Sequence, residues 1–253
     1  METTLLKGLE LLETLAASDE PRGITELSKE LGLMKSNVHR LMKTLAHKDY
    51  VRQEQETGRY LCSPKMWELG SRIARRLELV PIARPIMKEL VRQTQETVHL
   101  AILDNNEALY VSQEDCPQPV RTFAQIGGRA PLHAVATGKC LLAYMEADAL
   151  EQALALLEST SSNTITDRAQ LEKQLQAVRT KGYATNRGEW REGVGSVAAP
   201  IFDASERIYA SIGVSAPLHR MTPALAKRFG PAVVDAAQEI SRALGFSGST
   251  RAV

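Results

Sequence analysis

The 253-residue chain carries 31 Lys and Arg against 30 Asp and Glu, so its formal net charge is +1 and any nucleic-acid site must be local. Its length suits one large or two smaller globular domains. Cys62, Cys116 and Cys140 form no C-x-x-C pair, which predicts free thiols and disfavours structural zinc. There is no N-terminal signal pattern or membrane-length apolar run, so we expect a cytoplasmic protein without a membrane partner.

The N-terminal 48 residues predict three helices. Thr3 or Thr4 can cap the first, which should end near Ser18. Its predicted core-facing stripe is Leu5, Leu9, Leu12 and Ala16, widened by Leu6 and Leu15. Thr25 is placed to cap the second helix, and Gly32 supplies the turn before the third.

The third predicted helix, between Met34 and Lys48, combines an apolar face with a basic one. Apolar residues recur at the helical spacing i, i+3, i+4, i+7, namely Val38, Leu41, Met42 and Leu45. The other face carries Ser36, Asn37, Arg40, Lys43 and Thr44, without a carboxylate. Such side chains bind phosphates and base edges, although a solvated surface helix shows the same pattern.

A β-hairpin is predicted directly after the third helix. Residues 50–54 and 59–61 read as short strands, and Gly58 lies in the turn between them. A hairpin in this position is typical of a wing, which lies along the DNA backbone beside the groove that the helix occupies. We therefore predict that Arg59 contacts DNA, with Arg52 as a weaker candidate.

The segments GITELSKELGLMKSNVHRLMKTL, DYVRQ and GRYLCSPKMWELG are similar to the winged helix of IclR-type bacterial transcriptional regulators. The resemblance covers the first 70 residues, and Arg40 ahead of Leu41 and Met42 is its most distinctive match. It implies that the third helix enters the major groove of a double-stranded DNA operator. The DNA-binding residues predicted are Thr25, Lys35, Ser36, Asn37, Arg40, Lys43, Thr44 and Arg59.

Residues 64–79 predict a linker helix. Its apolar residues at helical spacing are Met66, Leu69, Ile73 and Leu77, a stripe suited to pairing two protomers. The arginines between them, which we expect on a solvated face rather than on DNA, are Arg72, Arg75 and Arg76. Pro81 and Pro85 are expected to interrupt the chain before a further helix that runs towards Thr94.

From Val98 the hydrophobic period changes to that of strands, so a second domain is predicted. The predicted strands are 98–103, 108–113, 120–126, 183–187, 194–202 and 207–215, and the predicted helices are 148–157, 167–181 and 224–244. The predicted fold class is α+β, with an antiparallel sheet and helices after the winged helix-turn-helix. The predicted domains are 1–63 for DNA binding, 64–79 for the linker and 80–253 for effector binding and oligomerisation.

A glycine-rich segment at residues 127–139 leads into a helix. It is not a Walker loop, because His133 stands at the required first glycine and Cys140 at the required Ser or Thr. A helix start with free N–H groups suits a small carboxylate. A packed turn, in which the glycines only allow close backbone approach, is an equally good interpretation.

The segments GGRAPLHAVATGK, KGYATNRGEWREGVGSVAAPIFD and ASIGVSAPLHRMT are similar to the effector domain of the same family, a GAF-like sheet that binds a small organic ligand. The implied effector-binding residues are Ala136, Thr137, Asn186, Val194, Ser196, Gly213 and Ser215. Asn186, Ser196 and Gly213 replace the commoner acidic residue, cysteine and serine, which favours an effector outside the glyoxylate and pyruvate type. Trp190, near Arg187 and Arg191, either closes over an acidic or aromatic ligand or packs on its own domain.

These patterns predict a ligand-responsive regulator of a catabolic or small-molecule metabolism operon, with no cofactor. A small organic-acid or aromatic-acid effector would shift the spacing of two winged helices in a dimer or a dimer of dimers.

The residues leave three alternatives to this prediction. One is an enzyme of GAF-like fold with His133, Cys140, Asp104 or Glu189 as acid, base or nucleophile, but no nucleophile–base spacing is visible. A metal site is disfavoured because His99, His133 and His219 share no ligand spacing. A winged helix used only for protein or RNA contacts is the last alternative.

Overall fold

The computed structural model describes residues 3–76, 78–122, 124–155 and 157–248, without the side chains of residues 71–76. The chain divides into two compact units, Met1–Leu77 and Glu78–Val253. Each unit has its own hydrophobic core.

The N-terminal unit is a winged helix. Its elements are α1 (Thr3–Ala16), α2 (Ile24–Glu30), α3 (Lys35–His47), β1 (Val51–Gln53), β2 (Tyr60–Cys62) and α4 (Pro64–Arg76). Strands β1 and β2 are antiparallel, with Val51 opposite Cys62, and form the predicted wing. Gly32 has φ +63°, a left-handed conformation that glycine adopts without a steric cost, and it makes the corner between α2 and α3. The core residues are Leu11, Leu12, Leu15, Leu27, Val38, Leu41, Met42, Val51 and Tyr60.

The buried face of α1 differs from the predicted one. Leu12 and Leu15 are buried as predicted, and Leu11 is buried with them. The other predicted leucines are exposed, at 62% for Leu5, 40% for Leu6 and 46% for Leu9. Leucines occur at helical spacing on two overlapping faces of α1, so the spacing alone could not show which face meets the core.

The start of α2 also differs from the prediction. Gly23, rather than Thr25, precedes the helix, and its backbone N–H donates to the Glu26 carboxylate at 3.3 Å. Thr25 lies exposed within the first turn. A carboxylate three residues after the cap satisfies one of the backbone donors at a helix start, so Thr25 is not needed there.

The C-terminal unit is an antiparallel sheet covered by helices on both faces. Its elements are α5 (Leu79–Thr94), β3 (Thr97–Asp104), β4 (Glu107–Glu114), β5 (Arg129–Pro131), α6 (Ala136–Ala143), α7 (Ala147–Leu154), α8 (Arg168–Lys181), β6 (Ala184–Arg187), β7 (Val194–Phe202), β8 (Ile208–Pro217) and α9 (Pro223–Ala243). The strand order is β5-β4-β3-β8-β7-β6. Helices α5 and α9 pack on one face, and α6 and α8 pack on the other.

The strand predicted at residues 120–126 is wrong for the described part of that segment, which is irregular. The backbone N–H of Ala124 is bonded to the Gln113 side chain at 3.1 Å, and that of Gly127 to the Tyr110 carbonyl at 2.8 Å. These bonds turn the chain, so the edge strand forms only at Arg129–Pro131.

Two further predictions about the helices need correction. Pro81 and Pro85 lie inside α5 rather than ahead of it. Pro81 is in the first turn, where a backbone N–H has no helical partner to lose. The predicted helix over 148–157 is shorter, at Ala147–Leu154. In the linker helix, the predictions for Arg72, Ile73, Arg75, Arg76 and Leu77 fall on side chains outside the described residues.

Candidate DNA interface and effector pocket

Helix α3 presents its predicted DNA-binding face to solvent. Val38 and Met42 are buried on one side. On the other side Asn37 is half-buried, and the exposed residues are Lys35, Ser36, Arg40, Lys43 and Thr44. The Arg40 guanidinium donates to Asn37 Oδ1 at 3.1 Å. The two side chains best suited to bidentate contacts with base edges therefore lie together on this surface.

Arg59 on the wing is held by contacts within the unit. Its guanidinium donates to Glu26 Oε1 at 2.7 Å and to the Pro21 carbonyl at 3.0 Å. Arg22 also bonds Glu26, at 3.3 Å, and Glu30. A hydrogen bond from Gly23, followed by the charges of Arg59 and Arg22, lowers the pKa of Glu26. The Arg59 side chain is still 42% exposed and has further N–H donors, so Glu26 competes with a DNA phosphate for Arg59 without excluding it.

A small cavity of about 50 Å³ lies among the sheet, the start of α6 and the β6–β7 loop. Its lining residues are His99, Tyr110, Thr122, Ala124, Val135, Thr137, Asn186, Trp190, Arg191, Val194, Ser196, Gly213 and Ser215. A single water needs roughly 10–15 Å³ by this kind of measure, so a compact polar group fits.

Six of the seven residues that the sequence implied for effector binding line this cavity. The exception is Ala136, which is fully buried beside it. Among the lining residues that were not predicted as ligand contacts are His99, Tyr110 and Thr122. His99 pairs with Gly213, one of the predicted pocket residues, in the β3–β8 register. A sequence analysis that knew this register could therefore have placed His99 near the pocket.

A polar network forms one wall of the cavity. His99 Nε2 and Thr122 Oγ1 each lie 2.6 Å from Ser215 Oγ, and Thr122 Oγ1 also lies 3.1 Å from the Ser215 carbonyl oxygen. The edge of His99 packs on Tyr110, with ring centroids 5.6 Å apart. Burial lowers the pKa of His99 to about 4 and raises that of Tyr110, so both are neutral near pH 7.

Two buried polar atoms of the residues lining the cavity have no hydrogen-bond partner among the described residues. They are His99 Nδ1 and Thr137 Oγ1. Leaving a buried donor or acceptor unpaired costs about 1–3 kcal/mol. A bound molecule that supplies the missing partners would recover this cost. Among the residues that the structure describes, Thr97, Ser112 and Ser211 also have unpaired buried hydroxyls but do not line the cavity, so the position of the two atoms in the cavity wall is what relates them to a ligand.

A buried ion pair ties α6 to the β6–β7 loop. Lys139 is 1% exposed, and its Nζ donates to the Glu189 carboxylate and to Gln174 Oε1 at 2.7 Å. The Glu189 backbone N–H donates to Asn186 Oδ1 at 2.9 Å. Burial lowers the pKa of Lys139, and Glu189 opposes this shift. Lys139 stands at the lysine position of a Walker-like segment, but its contacts support the wall of the cavity.

Trp190 both lines the cavity and packs on its own unit, so the two interpretations of this residue are compatible. The Arg191 guanidinium carbon lies 4.5 Å from the Trp190 ring centroid, and Arg191 also lines the cavity. Arg187 instead donates to the Met221 carbonyl at 3.1 Å. Of the two arginines near Trp190, only Arg191 is placed to meet an anion in the cavity.

A larger, open groove of about 710 Å³ lies between α8, β6 and α9. Asn186 borders both spaces, and Lys181 and Lys227 are exposed at the groove. The smaller cavity is the stronger effector candidate because buried, unpaired polar atoms belong to its wall. The lysines of the groove provide control positions for binding experiments.

The four side chains considered for catalysis have separate partners. Cys140 donates to the Ala198 carbonyl, and burial raises its pKa to about 12. His133 bonds the Glu158 carbonyl, Asp104 bonds Arg129, and Glu189 bonds Lys139. The Ser215–His99 contact has nucleophile–base geometry, but a histidine with a pKa near 4 is a weak base.

Three further structural findings bear on the sequence predictions. The three cysteines are free thiols. Within the described part of the chain, no three His, Cys, Asp or Glu side chains are grouped so that they could hold a metal ion. None of the described helices combines the length and apolar character needed to cross a bilayer.

A winged helix with a basic third helix, followed by an α+β unit whose small cavity has several polar groups in its wall, defines a DNA-binding regulator with a separate effector domain. The chain belongs to the IclR family of bacterial transcriptional regulators. Residues 4–55 match the IclR helix-turn-helix domain, and residues 71–242 match the C-terminal domain of bacterial transcriptional regulator IclR.

Characterised relatives align along nearly the whole chain. The transcriptional repressor IclR of Escherichia coli (strain K12) is 33% identical over 246 residues, which cover 96% of this chain and 90% of that protein. The HTH-type transcriptional regulator KdgR of the same organism is 34% identical over 246 residues, covering 96% and 93%. Both proteins are named as transcription regulators.

Solved structures show the same fold. The Thermotoga maritima IclR structure has a TM-score of 0.83 and 28% identity, covering 97% of this chain and 100% of that one. An IclR homologue from Microbacterium hydrocarbonoxydans, crystallised with 4-hydroxybenzoate, has a TM-score of 0.83 and 24% identity, covering 95% and 98%. The predicted α+β class, with a winged helix and an antiparallel sheet, is confirmed.

Proposed function

We propose that this protein represses or activates a catabolic or small-molecule metabolism operon, and that a small organic acid in the C-terminal cavity changes its affinity for the operator. The observation that carries the proposal is the small cavity whose lining residues include two unpaired buried polar atoms, in a chain that also has an exposed basic helix.

The proposed DNA contact is made by α3 in the major groove. Arg40 and Asn37 read base edges, while Lys35, Ser36, Lys43 and Thr44 bind the backbone. Arg59 contributes a phosphate contact in competition with Glu26. Thr25, exposed in the first turn of α2, is a further backbone contact.

The proposed effector is an organic or aromatic acid. Arg191 supplies a cation at the cavity, and Trp190 beside it offers a stacking surface. Thr137, Asn186, Val194, Ser196, Gly213 and Ser215 line the same space. We include Ala136 only as a backbone support, because its side chain is fully buried. The ligand in the Microbacterium homologue, 4-hydroxybenzoate, is one acid to test.

The proposed assembly is a homodimer or a dimer of dimers in the cytoplasm. An exposed row of leucines on α1, comprising Leu5, Leu6 and Leu9, supports a contact between copies of the winged helix. Two recognition helices must reach half-sites about one helical turn apart, roughly 34–36 Å, or a multiple of that. An effector that changes the spacing of the helices therefore changes operator affinity.

A mobility-shift titration with the gene's own upstream DNA tests the DNA contact. Arg40→Ala should weaken specific binding by roughly 10-fold to 100-fold, because a good bidentate contact contributes about 1–3 kcal/mol of discrimination. Arg40→Lys is the matched variant, since it keeps the charge but loses the planar donor fork. Arg40→Lys should retain non-specific DNA binding and lose the preference for operator over other DNA sequences. Specific binding that survives Arg40→Ala would contradict the proposal.

A thermal-shift screen of small carboxylic and aromatic acids, including 4-hydroxybenzoate, tests the effector site. Ser196→Leu fills the cavity and should abolish the shift caused by any acid that binds there. The control variant Lys181→Gln/Lys227→Gln alters the open groove and should leave the shift unchanged. The reverse pattern would move the site to the groove, and chemical conversion of a bound acid would instead support an enzyme.

A further inference from the structure

The hydrogen bonds around Ser215 bear on which nitrogen of His99 carries the proton. Three contacts meet there: His99 Nε2 with Ser215 Oγ, Thr122 Oγ1 with Ser215 Oγ, and Thr122 Oγ1 with the Ser215 carbonyl oxygen. Each hydroxyl has a single proton, and the carbonyl can only accept. Giving each contact its own proton takes three protons, one of which comes from His99. A three-centre bond from Thr122 to both Ser215 oxygens would instead leave the Ser215 hydroxyl to donate to His99 Nε2.

The arrangement with one proton for each contact has no shared donor. The Thr122 hydroxyl donates to the Ser215 carbonyl, so the Ser215 hydroxyl must donate to Thr122 Oγ1. Ser215 then has no proton left for His99, and His99 must donate from Nε2. Burial keeps the ring neutral, with the pKa near 4, so Nδ1 is unprotonated and carries a lone pair.

That lone pair has no partner. His99 Nδ1 is buried, and no described residue bonds it, although the His99 ring lines the cavity. A buried acceptor without a donor is costly, and a ligand that lacks a donor leaves the cost in place. The requirement is asymmetric, because a carboxylate or ketone oxygen cannot satisfy an acceptor.

We propose that His99 is a specificity-determining residue that selects effectors carrying a hydroxyl or N–H donor, by accepting a hydrogen bond at Nδ1. This rests on the proposed function, in which the effector occupies this cavity. With Arg191 available for an acidic group, the favoured class is a hydroxy- or amino-substituted organic acid. The unpaired Thr137 Oγ1 can accept from or donate to the same group.

The test compares pairs of acids that match in size but differ in the donor. Isothermal titration uses 4-hydroxybenzoate against 4-fluorobenzoate, and glycolate against fluoroacetate. The same comparison is made between the strongest acid found in the screen and its fluoro counterpart. Wild-type protein should bind the hydroxy member of a pair at least about 10-fold more tightly, since fluorine fills the space without donating. In His99→Phe the preference should fall to within about 2-fold.

The proton position is tested without any effector. Long-range ¹H–¹⁵N spectra of the histidine rings, assigned with His99→Phe, should show Nδ1 of His99 unprotonated in the wild type. Thr122→Val removes one acceptor and frees the Ser215 hydroxyl to donate to Nε2. This variant should shift the ring towards the Nδ1-protonated form and reduce the hydroxyl preference. A protonated Nδ1 in the wild type would overturn the proposal.

The results separate this inference from the proposed function. If acids bind in a manner sensitive to Ser196→Leu but the fluoro and hydroxy members bind equally, the effector site stands and the role of His99 is refuted. If no acid binds, both are refuted. A variant that fails to fold is recognised because its thermal unfolding transition is lost. In that case the ¹H–¹⁵N spectrum of the wild-type histidine rings decides whether Nδ1 of His99 is unprotonated.

Discussion

The two units present their functional side chains in opposite ways. In the winged helix, Arg40 and Lys43 stand on an exposed helix surface, and the residues behind them are apolar. In the C-terminal unit, His99, Thr137 and Lys139 are buried, and two polar atoms of the first two lack partners. A surface for a polyanion needs only accessible charge, whereas a sensor for a small molecule needs a shaped space with a few fixed polar groups.

This difference predicts different responses to mutation. Substitutions on the exposed face of α3 should change DNA affinity and leave folding intact. Substitutions around the cavity should change the stability of the C-terminal unit as well as its ligand response, because buried polar groups contribute to both. Four experiments test this contrast.

The largest expected effect comes from breaking the buried ion pair. Lys139→Met leaves Glu189 buried without its cation and should destabilise the C-terminal unit by about 3–5 kcal/mol. The winged helix should keep its stability. Amide hydrogen exchange, followed on peptides from each unit, measures the two separately. The double variant Lys139→Met/Glu189→Gln should recover much of the loss, and a single variant within about 1 kcal/mol of wild type would refute this role for the pair.

The second effect is a histidine-dependent loss of stability at low pH, expected in the C-terminal unit. Because the folded pKa of His99 is lowered from 6.5 to about 4, the unfolded state binds the proton more readily. The stabilisation is complete above about pH 6.5 and is lost as pH falls towards 4, by roughly 3 kcal/mol in total. Urea unfolding between pH 4 and 7 should show this loss, and His99→Phe should remove it. His39 and His47 of the winged helix are exposed, so an equal loss there would contradict the contrast.

The third effect concerns the cavity wall. A Cβ added at Gly213 would lie 3.0 Å from Ala198 Cβ and 3.1 Å from Thr137 Cγ2. Gly213→Ser should therefore cost about 1–3 kcal/mol and abolish the effector response without weakening DNA binding. Gly193→Ser is the matched control, because no heavy atom lies within 4 Å of its added Cβ. Thermal unfolding and effector titration are measured for both variants. If crowding in the cavity wall is the cause, only Gly213→Ser loses stability and effector response; if losing a glycine is the cause, both variants do.

The smallest effect is expected in the winged helix. Glu26→Gln should release Arg59 for DNA and raise operator affinity a few-fold at low salt, with less gain at high salt. Glu30→Gln removes the same charge but contacts Arg22 instead, so it is the control. Fluorescence anisotropy with operator DNA measures both. Equal affinities for the two variants would mean that Arg59 does not reach DNA.

Much of the winged helix follows from short-range patterns. The 3.6-residue spacing of Val38, Leu41 and Met42 defines the buried side of α3, and the left-handed conformation of Gly32 defines the corner before it. The same holds at the start of α8 in the C-terminal unit, where the Asp167 side chain accepts from the Gln170 backbone N–H at 2.7 Å. Each of these features depends on residues within one or two helical turns of each other, so a short sequence pattern is enough to predict it.

The sequence alone determined the two-part organisation, the recognition helix with its wing, and six of the residues around the cavity. Only the tertiary structure decided which leucines of α1 are buried and that the described residues between 120 and 126 form no strand. It also joined His99 to Ser215 across 116 positions and Lys139 to Glu189 across 50. The physical reason is that such contacts depend on strand register and helix docking, which short-range spacing does not encode.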